Sequence, residues 1–592
     1  MEKKDSLRNL FQELGCKVES DAILDKCFEL CESYNVDVEK LTELWLTFCV
    51  NNNNDIDPTL DALVNMENVV LKKDYKLHNL IMENNTNKKQ STMDKQGFSA
   101  NRDIENDDML SMYGCAEPRL PKRARSPEIN TDARTDKTEV AECSIPPDSY
   151  IENFTPNQRN ATDKGKILLS IGETVASWKK TGDYEVEVTK SDESHVPSDA
   201  KYMYEILSKQ GHLFTLVCRS LGSRLFKMWS AETTMTDNVA AELRYVKNVR
   251  SINQTYFRTF GRINAKKEAA NLVMLEGCTR RRGASMADSI ELDFRNLKQY
   301  SVFSGQIVAV EATNPVGDAL YVKEIFAKAY APSAPAPRLE SKINVFVAAG
   351  PFTALNNTFY QPLWDLMEKV ASDEPQVLIL VGPFLEYTHS EVQNNLIKDT
   401  HQEFFEKILT RIMESTRKNT QVVLVASNRD AHHEPIFPTP QYAIFNKKLQ
   451  NYPNLKLMPD PCILDVAGLK IGVTSVDVIK HIGKEEISNI TGDRLGRLAD
   501  HVLAQTCFYP VYPPPEDLNV DTDLWEKYAF FDQQPHVLIL PSDMRSYCKV
   551  INECVTLNPE RMHKHAYAKL SVKPTLGDKW NSNNISCEIV KV

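Results

Sequence analysis

Ile343-Asn344-Val345-Phe346-Val347-Ala348-Ala349 runs almost without a polar interruption into Gly350-Pro351. A run this short and this apolar, closed by a turn, is the pattern of a strand covered on both faces, and such strands belong to sheets flanked by helices. The pattern returns at residues 376–381, 421–426, 469–474 and 536–540. Between several of these runs apolar residues recur at helical spacing, as in 363–370 and 404–413. Residues 338–592 are therefore predicted to form a layered α/β domain with a buried sheet.

Residues 236–330 carry a different signal. Thr255-Tyr256-Phe257-Arg258-Thr259-Phe260-Gly261-Arg262-Ile263 mixes aromatic and β-branched residues, and strand candidates follow at 271–277, 302–314 and 320–326. Short strands at these intervals suit a small OB-type β-barrel. A proline-rich linker, 331–338, joins the two regions. Residues 161–235 read as a connecting segment, with 201–229 a helical connector packed on the later domains.

The first 80 residues predict a helical module. Leu7, Leu10, Phe11 and Leu14 form one stripe. Ile23, Leu24, Cys27, Phe28 and Cys31 form a second, behind Ser20 and Asp21 as candidate caps. Leu41, Leu44, Trp45 and Phe48 form a third, and Asp57-Pro58 starts a helix that carries Leu60, Leu63 and Val64. Two readings stay open: a docking module for a partner, or simply a small core. Residues 81–160 are polar and hold too few large apolar residues to offset the entropy of ordering, which predicts a disordered, flexible linker. Inside it stands Pro121-Lys122-Arg123-Ala124-Arg125-Ser126-Pro127. Lys122, Arg123 and Arg125 form a candidate nuclear import signal, with a solvated charge run as the alternative. Ser126 is a candidate site for a proline-directed kinase, where a phosphate of roughly −2 charge would mask the neighbouring cations.

The 592 residues, 42% of them hydrophobic, are enough for several cores. A formal net charge of −11 excludes a protein whose whole surface grips nucleic acid. Thirteen cysteines are scattered without a C-x-x-C pair, the nearest spacings being Cys27 with Cys31 and Cys548 with Cys554. This argues against a zinc ribbon or a disulfide framework and for reduced thiols in a nuclear or cytosolic protein. Met1-Glu2-Lys3-Lys4-Asp5 lacks the pattern of a signal peptide, and no apolar run approaches the ~20 residues of a membrane span, so the expectation is a soluble intracellular chain.

Within the α/β region, several segments resemble one family. Val347-Ala348-Ala349-Gly350-Pro351-Phe352-Thr353, Val381-Gly382-Pro383-Phe384-Leu385 and the stretch from Arg429 through His432-His433-Glu434 to Pro438 resemble the first three strand-end loops of the B subunits of DNA polymerase alpha–primase. Residues 509–517, 540–545 and 555–561 resemble later loops of that family, and Phe303-Ser304-Gly305-Gln306-Ile307-Val308 resembles its barrel. The likeness covers about residues 200–592. It implies a multidomain α+β chain: a helical N-terminal module, a disordered linker, an OB-type barrel, and an α/β domain of the calcineurin-like phosphoesterase type.

Active phosphoesterases of that type hold two metals ~4 Å apart on aspartates, an asparagine and histidines that follow the strands. This chain departs from the pattern position by position. Gly350 stands after the first strand with no acid or histidine beside it. Pro383 takes the aspartate position after the second. In the third loop Asn428 and Asp430 remain, but Arg429 replaces the catalytic histidine. Ser542-Asp543 offers no histidine later on. The resemblance therefore implies no catalytic residue, no metal and no cofactor.

Two other clusters invite a reading as sites. His432-His433-Glu434 reads as packing and hydrogen bonding that fix a loop rather than as a new metal site, because adjacent residues do not easily face one ion. Tyr256, Phe257 and Phe260 suggest base stacking, as in single-strand binders. Alternate residues of a barrel strand point inward, however, and only Arg258, Arg262 and Arg280-Arg281-Arg282 supply nearby charge, so a protein-binding barrel is expected. The family's role implies a nuclear, non-catalytic scaffold and regulatory subunit in DNA replication. Its implied partners are the C-terminal region of the polymerase catalytic subunit, the primase subunits through the complex, and replisome proteins through the N-terminal module, with DNA contact weak or indirect and no membrane. The alternatives are a metal-dependent phosphodiesterase or nuclease, and a single-strand DNA-binding protein.

Overall fold

A computed structural model describes residues 21–34, 45, 58, 63, 67, 164–179, 184–189, 195–236, 245–266, 272–280, 287–575, 577 and 579–592. The stripe from Leu7 to Leu14, the cluster of Lys122, Arg123, Arg125 and Ser126, and Arg281-Arg282 lie outside these residues. The chain divides into two units, 1–103 and 104–592. In the first, helix Asp21–Tyr34 buries Ile23, Leu24, Cys27 and Leu30, while Phe28 and Cys31 of the predicted stripe are only half-buried. Trp45 and Leu63 are also buried, and Lys26 pairs with Glu67 at 3.4 Å.

The second unit runs in order through strands β1 (Ile167–Ile171), β2 (Val188–Thr189), β3 (Asn253–Lys266), β4 (Leu272–Arg280), β5 (Ala287–Asp293), β6 (Ser301–Val302), β7 (Ile307–Asn314) and β8 (Ala319–Phe326). Then follow β9 (Ile343–Ala349), β10 (Val377–Val381), β11 (Gln421–Val425), β12 (Leu455–Met458), β13 (Cys462–Val466), β14 (Leu469–Val473), β15 (Ile487–Ser488), β16 (Val537–Ile539), β17 (Tyr547–Ile551), β18 (Cys554–Asn558), β19 (Ala566–Val572) and β20 (Ile585–Lys591).

Two sheets form the α/β domain. One is ordered β1-β20-β19-β9-β10-β11-β12 and the other β17-β18-β16-β14-β13-β2. Strands β9 to β12 are parallel, as are β14, β16 and β18. Alternation along each strand sorts its side chains between two layers. Val345, Val347, Ile379 and Val423 point into the space between the sheets, where they meet Leu464, Ile471, Ile539 and Leu557. Phe346, Leu378, Leu380 and Leu424 face the opposite way, against helices Gln361–Asp373 and His401–Ser415. Leu538 and Leu540 face helices Val478–Glu485, Arg494–Ala504 and Thr522–Tyr528. The result is four layers, helix–sheet–sheet–helix.

The upstream segment does more than connect. β1 pairs with β20 and β2 with β13, so these two strands supply an edge to each sheet. The proline-rich segment is likewise docked on the α/β domain. Ala334 N donates to Gln534 O at 3.0 Å, Gln534 N donates to Pro332 O at 2.8 Å, and Ala331 and Ala334 are buried.

The barrel closes in the order β3-β4-β5-β8-β7. Its fifth strand, β5, went unread in the sequence because Asp288, Glu291 and Asp293 break its apolar signal; Ile290 and Leu292 carry its inward face. Helix Leu207–Thr236 lies on the barrel through Cys218, Leu221, Leu225 and Trp229, which meet Phe260, Ile307 and Ala309. Gly222 permits this approach, since a Cβ there would collide with the Phe260 ring. Among the described residues no helix is long and apolar enough to cross a membrane.

Barrel and α/β domain share a polar joint. β6 pairs with β15, Gln505 Oε1 accepts from Ile307 N at 2.8 Å, and Gln505 Nε2 donates to Ile307 O at 3.0 Å. Glu486 is buried between Arg497 at 2.6 Å and Arg494 at 3.2 Å, and it accepts from Ser301 Oγ at 2.7 Å.

Candidate functional site

In sheets with parallel strands, ligands gather beyond the carboxyl ends of the strands, where the loops diverge. Here β9, β10 and β11 of one sheet and β14, β16 and β18 of the other lead into loops that carry Gly350, Gly382, Ser427, Asp477, Asp543 and Arg561. The structure thus brings Gly350, Pro383, Asn428, Arg429 and Asp430, singled out from sequence, to the ends of neighbouring strands.

The first two loops touch backbone to backbone. A Cβ at Gly350 would run into the Pro383 carbonyl, which is the physical reason for a glycine there. Asp430 is fully engaged: its Oδ1 accepts from Phe384 N and Leu385 N, each at 2.7 Å, and its Oδ2 accepts from Tyr442 OH. Burial pushes its carboxyl up to about 7 against the pull of these hydrogen bonds. Asp430 therefore fixes the loop after β10, with both of its oxygens taken by hydrogen bonds inside the protein. Asn428 is buried in the same loop.

Around this core sits a network of ion pairs. Arg429 pairs with Glu386. Arg561, with 0% of its surface exposed, donates from Nε to Asp543 Oδ1 at 3.0 Å and from Nη1 to Gly350 O at 3.1 Å, and its Nη2 lies 3.7 Å from Asp477 Oδ2. Lys480 reaches Asp543 Oδ2 at 3.1 Å, and Asp543 N donates to Asp477 Oδ2 at 2.7 Å. Burial by itself would raise the Asp543 carboxyl, but Arg561, Lys480 and Arg429 hold it well below the usual carboxylate range. Burial would lower the Arg429 guanidinium, yet Glu386 and Asp543 keep it above its ordinary value. Three cations, Arg429, Lys480 and Arg561, thus meet three carboxylates, Glu386, Asp477 and Asp543, and tie the loop ends of both sheets together.

A pair of dications does not fit this donor set. Glu386, Asp477 and Asp543 are matched by guanidinium and ammonium groups, Asp430 is held by Phe384 N, Leu385 N and Tyr442 OH, and Pro383 and Gly350 offer no side-chain ligand. Among the described residues no group of three or more His, Cys, Asp and Glu side chains is arranged to hold a metal ion. His432 stacks on Phe405 with ring centroids 4.2 Å apart, and burial, then His433, lowers it to about 3. His433 makes its hydrogen bond to Pro440 O at 2.7 Å.

The barrel aromatics separate by face. Phe257 lies in the barrel core and Phe260 under the long helix, whereas Tyr256 is 46% exposed with the Lys323 ammonium 5.0 Å from its ring centre. Arg258 lies over Trp229 and pairs with Glu311 at 3.2 Å; Arg262 pairs with Glu276 at 2.6 Å. Both arginines are spent inside the molecule. Sequence reasoning missed Glu386, Asp477 and Arg561 as a unit, although Arg561 stands in one of the segments that carry the family resemblance; Arg561 and Gly350 are 211 residues apart.

Barrel, two-sheet α/β domain and ion-paired strand ends together define a class: a platform of the phosphoesterase-like type joined to an OB domain. Comparison with known proteins narrows it. Residues 345–549 match the family model of the B subunits of DNA polymerases alpha and epsilon. Residues 5–73 match the model of the N-terminal region of the DNA polymerase alpha B subunit, and residues 233–328 match the model of its OB domain. The B subunit of DNA polymerase alpha from Mus musculus is 30% identical over 569 residues, covering 92% of this chain and 91% of its own. Its counterpart in Drosophila melanogaster is 28% identical over 622 residues with 100% of both chains covered, and that of Rattus norvegicus 29% identical with 97% of both. The chain belongs to the family of DNA polymerase alpha B subunits and is a non-catalytic accessory subunit.

Proposed function

We propose that this chain is the nuclear scaffold and regulatory subunit of the DNA polymerase alpha–primase complex and supports the initiation of DNA replication. The barrel and the α/β domain act as one platform for the C-terminal region of the polymerase catalytic subunit, and the primase subunits are reached through the complex. The α/β domain is a calcineurin-like phosphoesterase fold whose metal positions, Gly350, Pro383, Asn428, Arg429 and Asp430, have lost their original use. The observation that carries this reading is the network of Arg429, Lys480 and Arg561 with Glu386, Asp477 and Asp543, which spends the strand ends on holding shape. The polar joint through Glu486 and Gln505 supports a platform that moves as one piece.

In this reading residues 1–80 recruit other replisome proteins and residues 81–160 tether them. About 80 flexible residues reach roughly 50 Å on average, which raises the local concentration of a captured partner. Lys122, Arg123 and Arg125 direct nuclear import, and phosphate on Ser126 screens them. Contact with DNA is weak or indirect, because Phe257 and Phe260 are buried and Arg258 and Arg262 are paired internally.

The test is co-expression of the full chain with the C-terminal region of the catalytic subunit. A complex of equal stoichiometry that survives gel filtration is expected. Elution of two separate folded proteins would overturn the proposal.

A further inference from the structure

Two pairs of buried thiols lie outside the strand-end network, and their surroundings differ. Cys218, on the helix Leu207–Thr236, and Cys278, on β4, are 60 residues apart in sequence, yet their sulfurs lie 3.0 Å from each other. Cys548 on β17 and Cys587 on β20 make a second hydrogen-bonded pair, set in the core between the two sheets.

We propose that Cys218 and Cys278 form an oxidisable dithiol, a modification site at which hydrogen peroxide closes a disulfide between the long helix and the barrel. Geometry favours the bond. The sulfurs already lie 3.0 Å apart, so a bond of about 2.05 Å requires them to close by about 1 Å. Cys278 keeps 8% of its surface open and Cys218 4%, against 4% for Cys548 and 0% for Cys587, so Cys278 is the most accessible of the four to a small oxidant.

Electrostatics favour it as well. The thiolate is the nucleophile, and cations nearby stabilise it. The hydrogen bond with Cys218, then Arg219 and Arg262, lower the Cys278 thiol against the effect of burial. Cys218, like Cys587, is pushed up by its partner thiol and by burial, so Cys278 is the attacking thiol of its pair.

The chemistry balances with peroxide as the only co-reactant. The Cys278 thiolate attacks one peroxide oxygen, the O–O bond breaks, and a sulfenic acid and hydroxide result. Cys218 then gives up its proton and attacks the Cys278 sulfur, and the displaced hydroxide takes that proton as water. Two thiols are oxidised, one peroxide is reduced to two waters, and helix and barrel become covalently joined.

The test uses the full-length chain, titrated with hydrogen peroxide and mapped by non-reducing peptide mass spectrometry. The Cys218–Cys278 peptide pair is expected to appear first, with loss of two hydrogens, while Cys548 and Cys587 stay reduced. The melting temperature should rise and fall back after dithiothreitol. In Cys218→Ser, dimedone should trap a sulfenic acid on Cys278; in Cys278→Ser it should trap none on Cys218. The proposal is overturned if Cys218 and Cys278 remain free thiols at peroxide levels that oxidise other cysteines of the chain, or if dimedone labels Cys218 instead. Should either variant fail to fold, the peptide map of the unaltered chain decides.

Discussion

The strand ends of the α/β domain and the joint between that domain and the barrel are both closed by buried arginine–carboxylate clusters, yet they do different work. At the joint, Glu486 binds Arg494 and Arg497 of its own domain and accepts from Ser301 of the barrel, so one carboxylate couples two folding units. At the strand ends, Arg561, Arg429 and Lys480 knit loops of two sheets inside one domain. The joint has only to hold. The strand ends stand where an α/β fold usually keeps its chemistry, and there the same kind of pairing occupies Glu386, Asp477 and Asp543.

If that contrast is right, the largest effect should come from Arg561→Met. It removes a buried guanidinium from Asp477 and from the half-buried Asp543, which keeps Lys480, so the cost should lie near the lower end of the range of about 3–5 kcal/mol for a broken buried pair. Chemical denaturation followed by circular dichroism should show it, and an unchanged midpoint would mean that the strand ends do not depend on the network.

Glu486→Gln should cost less, about 1.5–3 kcal/mol, since the amide keeps some of the hydrogen bonds to Arg494, Arg497 and Ser301. Its signature should be local, with faster proteolytic cleavage between barrel and α/β domain.

Asp430→Asn tests pH rather than magnitude. The folded carboxyl sits at about 7 against an ordinary value of 3.8, so the folded state binds the proton more tightly than the unfolded one. This acid thus contributes a loss of stability as pH rises from about 4 to about 7. The amide still accepts from Phe384 and Leu385, and melting curves across that window should lose this slope. A slope that persists unchanged would assign it to another group.

The smallest effect is expected from Tyr256→Ala on the outer face of the barrel. An exposed side chain with one ammonium beside it should change stability by less than about 0.5 kcal/mol and leave any single-strand DNA binding unchanged.

What the sequence disclosed follows the physics of each element. The strands at Ile343–Ala349, Val377–Val381 and Gln421–Val425 were legible because burial on both faces leaves an unbroken apolar run. β5 was hidden because Asp288, Glu291 and Asp293 interrupt its apolar residues, β2 because two residues make no run, and β1, as long as β10, because its largely exposed edge position gives no burial on both faces. At the strand ends, the substitutions at Pro383 and Arg429 were visible one position at a time. Their partners were not: Glu386 lies 43 residues from Arg429, and only the fold unites Arg561 with Asp477. An ion pair made across loops has no sequence period, so nothing local announces it.

If the strand ends hold shape and not metals, the purified chain should stay nearly metal-free after dialysis against manganese. Metal content, measured together with hydrolysis of a chromogenic phosphodiester, tests this directly. The expected result is well below one metal per chain and no turnover above buffer. Two metals per chain, with turnover abolished by Asp430→Ala, would contradict it.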